Sequence, residues 1–198
     1  MSEVDIYMGI DCGLDGAIVC LSSEGIVDMI EMPTKKQDGK RSIDIEKLAE
    51  LIKKIYYEVR VCRSYQPGGH RFNKANPDVI LENFHITIED PGPHAPSAAG
   101  LRSMTYSLAV VEALLVAFNF KYNLVMARKW QKEFFSKPKG MTDKFDTKAA
   151  ALSAADKIFP DTDWTRTPRS SKPFDGFVDA ALIAEYARRK RIESLTTE

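Results

Sequence analysis

The chain has 198 residues, 44% of them hydrophobic, and its 28 basic side chains are matched by 28 acidic ones. One sizeable core in a single domain spanning 1–198 is expected at this size, and the balanced charge gives no global sign of a polyanionic partner. The distribution is uneven: residues 1–60 carry 8 basic and 12 acidic side chains, whereas residues 127–198 carry 15 and 11, a C-terminal third suited to tracking phosphates. Three cysteines, Cys12, Cys20 and Cys62, lack metal-ligand spacing and do not suggest a disulfide framework, which favours a reducing cytosol. The first residues hold no basic leader or apolar signal core. The longest apolar stretch, Leu108 to Phe120, is short for a bilayer and contains Glu112. A soluble cytoplasmic protein with no membrane partner is therefore expected.

In chain order, Ile6–Asp11, Gly16–Leu21 and Gly25–Met32 are short, β-branched and separated by glycine-containing turns, as in an antiparallel meander. Ser42 or Asp44 caps a helix with Ile45, Leu48, Leu51, Ile52 and Ile55 at helical spacing. After a polar loop at 62–77, Asp78–Glu82 reads as a buried strand. A proline-containing loop over Glu89–Gly100 leads to a helix near Leu101–Phe118 that is apolar almost all round. Such a helix is buried on more than one face or shared with a second subunit. Asn123–Ala127 predicts a fifth strand, followed by a short helix with Trp130, Phe134 and Phe135, where the aromatics suit a core better than base stacking. Loops at 136–143 and 160–174 flank a helix from about Asp146 to Ile158, and a last helix runs from about Asp175 to Arg191. The order βββαβαβα is that of a ribonuclease H-like α/β fold, with a mixed five-stranded sheet flanked by helices.

Four carboxylates stand out against this frame. Asp11 interrupts the apolar run Ile6-Tyr-Met-Gly-Ile-Asp-Cys-Gly13 where a strand meets a turn, and the neighbouring glycines would let a phosphate or metal approach the backbone. Glu82 ends Val79-Ile-Leu-Glu82, and Asp175 and Asp179, four apart, share one face of the last helix. Separately, each has an ordinary reading as turn residue, strand cap or helix-start acid. Together, buried charges from three elements call for a shared cation, and oxygen ligands suit Mg²⁺ or Mn²⁺.

Gly9-Ile-Asp11-Cys-Gly13, Leu81-Glu82 and Asp175-Gly-Phe-Val-Asp179-Ala-Ala-Leu-Ile-Ala resemble the active-site motifs of RuvC-type Holliday junction resolvases, most closely a compact phage-associated branch. The resemblance extends over most of residues 5–190, including Met32-Pro33-Thr34, Arg128-Lys-Trp130 and Lys148-Ala-Ala-Ala ahead of Phe159-Pro160. It implies a homodimeric, Mg²⁺-dependent endonuclease that nicks four-way or otherwise branched DNA, with Mn²⁺ able to substitute. A phage-encoded protein acting in the bacterial host cytoplasm would follow. By position, Asp11, Glu82 and Asp179 match the family's carboxylates. Asp175 joins them with a spacing of four where the family has three. Where the family carries a junction-facing aromatic, this chain has His85 with Phe84 beside it.

The expected chemistry is two-metal-ion phosphodiester hydrolysis with two ions per site, Asp11 bridging both, Glu82 on one, and Asp175 and Asp179 on the other. Lys148 would support the scissile phosphate. Lys129, Lys132, Lys137, Lys139 and Lys144 would neutralise flanking phosphates. Two other classes stay open. A Gly-Ile-Asp-x-Gly turn also occurs in sugar and acetate kinases, although no second phosphate loop is present here. A non-catalytic DNA-binding module on a related fold is the other.

Overall fold

The computed structural model describes residues 5–62, 84–93, 97–138 and 145–196. Strand β1 (Ile6–Ile10) is buried along its whole length and sits at the centre of a five-stranded sheet of order β3-β2-β1-β6-β7. It pairs antiparallel with β2 (Ala17–Ser22), which pairs antiparallel with β3 (Gly25–Glu31), giving the expected meander. On its other side β1 runs parallel to β6 (Phe84–Asp90), itself parallel to β7 (Tyr122–Met126). This is the mixed sheet of a ribonuclease H-like α/β fold.

Two of the strand assignments differ from the sequence reading. The parallel neighbour of β1 is Phe84–Asp90, so Glu89 and Asp90 end a strand where a loop was expected; Asp78–Glu82 lies outside the described residues. The residues between β3 and the first helix form a separate two-stranded hairpin, β4 (Thr34–Gln37) and β5 (Lys40–Ile43). Its turn is Asp38-Gly39, both at positive φ (51° and 73°), a pairing that matches strand twist in tight hairpins.

Alternation along β1 divides the core. Ile6, Met8 and Ile10 face α1 (Ile45–Cys62) and α2 (Ala98–Ala117), packing with Leu48, Ile52, Val111 and Leu115. Tyr7 belongs to the opposite cluster, with Trp130 of α3 (Ala127–Phe134), the alanines of α4 (Thr147–Ile158) and the buried length of α5 (Asp175–Thr196). Local signals set the helix starts: Ser97 Oγ accepts from Gly100 N at 3.0 Å, and Asp146 Oδ1 from Lys148 N and Ala149 N, each at 3.1 Å. Glu185, buried in α5, is matched by Arg188 at 2.6 Å and Arg189 at 2.9 Å. Those arginines therefore serve the helix's own packing.

Helix α2 extends ten residues further toward the N-terminus than the apolar stretch beginning at Leu108, and its 20 residues suffice by length and composition to cross a bilayer, which corrects the expectation that it is too short. Here it lies against the sheet through Ser107, Val111 and Leu115. Tyr106 and Val116 stay exposed, as do Leu124 and Met126 on β7.

Helix α5 crosses β1 with almost no space between backbones. A Cβ on Gly9 would meet the Ala180 carbonyl oxygen at 2.1 Å and Ala184 N at 2.4 Å. The glycine thus serves helix–strand packing, where the sequence reading had it admitting a ligand. Because these clashes are with main chain, no side-chain rearrangement relieves them. Gly9→Ala is expected to cost about 3 kcal/mol or more, read as a lower urea midpoint; an unchanged midpoint would show that α5 does not lie this close.

Candidate active site

The carboxylates converge by register and alternation. Ile10 of β1 lies opposite Ile88 of β6, so one further step places Asp11 level with Glu89. Ile86 and Ile88 pack on the α1/α2 side, which turns Glu89 to the α5 side, the same side as Tyr7 and Gly9. Helix α5 delivers Asp179 there, one turn after Asp175 at its first position. Asp11, Glu89 and Asp179 thus come from three elements at the C-terminal ends of two parallel central strands, where ligands of α/β sheets commonly bind.

Each acid is locally fixed. Asp11 N donates to the Ala17 carbonyl at 3.0 Å, and its Oδ1 accepts from Gly13 N at 2.9 Å. The return turn is so tight that a Cβ on Gly16 would meet the Asp11 carbonyl oxygen at 2.1 Å. Glu89 Oε2 accepts from the Trp130 indole N–H at 2.8 Å, so the fully buried tryptophan is core and also orients an acid. Lys148 Nζ ion-pairs with Asp175 Oδ2, both side chains largely exposed at 74% and 48%.

Proton affinities report the crowding. Burial, then the Asp11 charge and the Glu89 charge, pushes Asp179 up to about 8. Burial and Asp11 push Glu89 up to about 7, against the Trp130 hydrogen bond, which lowers it. Burial also raises Asp11. Among the described residues, no three His, Cys, Asp or Glu side chains are gathered into a group that holds a metal ion as they stand. The donor set still has the chemistry a hard divalent cation requires: all oxygen, partly buried, and mutually repelling until a positive charge enters. A cleft of about 10 Å³ between Asp11, Glu89 and Met104 of α2 leaves room for little more than one small occupant.

The other expected site residues divide. Glu82, Lys139 and Lys144 lie outside the described residues. The strand-end acid beside Asp11 is Glu89, which the sequence reading placed in a loop. The alternation Phe84-His-Ile-Thr-Ile-Glu, with Ile86, Thr87 and Ile88 all buried, is the signal that could have found it. Asp90, the last residue of β6, accepts at Oδ1 from Gly92 N at 2.8 Å, which turns the chain out of the strand. Phe84 and His85 are not in a loop: Phe84 is buried against Phe120, and His85 stacks on Tyr7 with its Nε2 3.1 Å from Asp5. Both sit at the strand end remote from the acids, because they begin the strand that Glu89 ends. His85 and Lys129 share a groove of about 390 Å³ with Tyr186, Lys190 and Arg191, roughly 16 Å along α5 from Asp175. Lys132 and Lys137 are exposed.

No family model matches the chain, and no curated protein does. Among solved structures, Thermus thermophilus RuvC in complex with a Holliday junction substrate aligns with a TM-score of 0.51 at 12% identity, covering 96% of this chain and 97% of that one. A second Thermus thermophilus RuvC structure aligns at 0.47 and 10% identity, covering 94% and 96%. The first likeness agrees with the ribonuclease H-like fold over nearly the full length of both chains.

Raised carboxylate pKa values make a definite linkage prediction. The folded state of the metal-free protein holds protons on Asp179 and Glu89 that the unfolded chain, at 3.8 and 4.5, has released. Their contribution to stability is therefore full below about 4 and is lost as pH rises from there through about 8. The Tm in EDTA is expected to fall across that window, less so in Asp179→Asn, and Mg²⁺ is expected to restore it at the alkaline end. A wild-type Tm that is flat or rising there would mean the three acids do not share one buried site.

Proposed function

We propose that this chain is a divalent-metal-dependent endonuclease that cuts four-way or otherwise branched DNA. The observation that supports this best is the approach of Asp11, Glu89 and Asp179, from three elements, close enough at the strand ends to raise one another's proton affinity in partly buried surroundings. The likeness in fold to a RuvC bound to a Holliday junction supports the choice of branched DNA.

Asp11, Glu89 and Asp179 would hold Mg²⁺ or Mn²⁺, with Asp175 at the rim. A bound divalent cation supplies Lewis acidity toward a phosphodiester and offsets charge that develops on it. The chain's own groups prepare the site for that chemistry. Gly13 N holds the Asp11 carboxylate in place. Trp130 directs Glu89 and favours its ionised form. Lys148, exposed and ion-paired with Asp175, would exchange that partner for a substrate phosphate.

Amide substitutions test the assignment. Asp11→Asn, Glu89→Gln and Asp179→Asn should each reduce single-turnover cleavage of a four-way junction by several orders of magnitude. Junction affinity in EDTA should hold or rise, because each change removes negative charge facing phosphates. Glu82→Gln is the paired comparison: near-wild-type cutting by Glu89→Gln together with loss in Glu82→Gln would return the role to Glu82. Lys148→Ala should slow cleavage and weaken binding more modestly.

A homodimer is part of the same reading. Tyr106, Val116, Leu124 and Met126 leave apolar surface on α2 and β7, which a second copy would cover. A two-fold axis would then present two acidic sites to the two strands of a junction. Sedimentation at micromolar concentration is expected to give a dimer, and a monomer with and without junction DNA would remove this element.

A further inference from the structure

We propose that the β4–β5 hairpin and the segment between α4 and α5 form a DNA-backbone contact beside the acidic cluster, with Arg41 and Arg166 as its phosphate-binding pair. The inference rests on the reading of the cluster as a DNA-cleaving centre, and it states where the substrate backbone leaves that centre.

Two segments far apart in sequence meet on one exposed carboxylate in the Asp11 turn. Asp15 Oδ1 accepts from Arg41 Nη1 at 2.7 Å and from Arg166 Nη2 at 3.2 Å, while 71% of the Asp15 side chain faces solvent. Arg41 is further aimed by Thr34 Oγ1 at 3.1 Å and by the Leu14 carbonyl. Arg166 reaches Glu31 at 3.4 Å and lies over the Phe174 ring, 3.9 Å from its centroid. Phe174 immediately precedes Asp175, and a Cβ on Gly176 would meet the Asp15 carbonyl oxygen at 2.4 Å. The arginine pair therefore stands on the same rim as the start of α5 and the Asp11 turn.

The surroundings favour an anion longer than one carboxylate. The hairpin adds exposed Lys35, Lys36 and Lys40, with Asp38 at its tip. The segment 165–173 adds exposed Arg169 and Lys172 and contains no acid. Two planar guanidinium groups already directed at a single oxygen need little reorganisation to grip a phosphodiester, whose paired oxygens suit such forks better than an ammonium does. Exposed pairs of this kind are weakly held, so exchanging Asp15 for a phosphate is accessible. The acidic cluster itself repels DNA, and a cationic lip next to it would offset that repulsion without entering the reacting site.

The experiment measures four-way junction affinity in EDTA across a salt series, with Mg²⁺-dependent cleavage and Tm alongside, for wild type, Arg41→Ala/Arg166→Ala, Arg41→Lys/Arg166→Lys and Asp15→Asn. The double alanine variant should bind more weakly at low salt, and its slope of log K against log salt should shrink by about 0.9 for each phosphate it no longer neutralises. The double lysine variant should keep most of the slope. Asp15→Asn, which removes the carboxylate charge that both arginines share, should bind more tightly than wild type. That variant carries the test even if the double alanine protein is unstable. Wild-type affinity and slope in the double alanine variant, or unchanged or weaker binding by Asp15→Asn, would overturn the inference while leaving the nuclease reading intact. A wild-type protein that neither binds nor cuts branched DNA would overturn both.

Discussion

Helix α5 lies against β1 with backbone nearly touching backbone, and the rest of the site depends on that contact. Gly9 leaves no side chain between the strand and Ala180 or Ala184. The helix can therefore seat Asp179 beside Asp11 and Glu89 although the three charges repel one another. The repulsion is opposed by packing energy from elsewhere: α5 is buried almost continuously from Gly176 to Ala187, against β1, β2 and the α4 alanines. Apolar burial of this kind contributes about 25 cal/mol per Å², and over the roughly three turns of that buried face it opposes the repulsion among the acids. The fold, rather than the acids' own contacts, keeps them near one another.

Such an arrangement separates two tasks that a small domain must reconcile. One sheet face, with α1 and α2, is almost wholly apolar and serves to stabilise. The other carries Tyr7, Gly9 and Asp11 in succession, so the same alternating stripe begins in core and ends in chemistry. Trp130 joins the two. Its ring fills the core beside Phe134 and Phe135, and its N–H emerges at Glu89. Loss of packing at that position and loss of order in the acid are therefore coupled.

Much of this is legible in the sequence. The meander, the helices and the strand-end and helix-start positions of Asp11, Asp175 and Asp179 follow from apolar periodicity and turn residues. The misses have physical causes. Val79-Ile-Leu-Glu82 is the more continuous apolar run, and it draws the strand expectation away from Phe84–Asp90, whose polar His85 and Thr87 dilute the signal while belonging to the α5-facing stripe. The hairpin escapes notice because Thr34–Gln37 and Lys40–Arg41 have no apolar alternation at all, although Asp38-Gly39 is a strong turn pair. Basic side chains can be weighed in sequence only by their number in the C-terminal third, and number alone does not reveal which ones a folded chain will aim at a common point.

That last failure bears on how the charges act. The chain is neutral overall, so it exerts little long-range pull on a polyanion and its cations act through placement. Several are spent internally: Arg188 and Arg189 neutralise Glu185, and Lys190 pairs with Glu133 at 3.0 Å. Lys148, Arg41 and Arg166 differ, because their partners Asp175 and Asp15 are themselves exposed at the rim of the acidic cluster. A carboxylate in that position holds the cation in orientation without burying it. Under the proposed reading, such a rim would take up an anion that arrives with more than one negative oxygen and would leave its cations paired until one does.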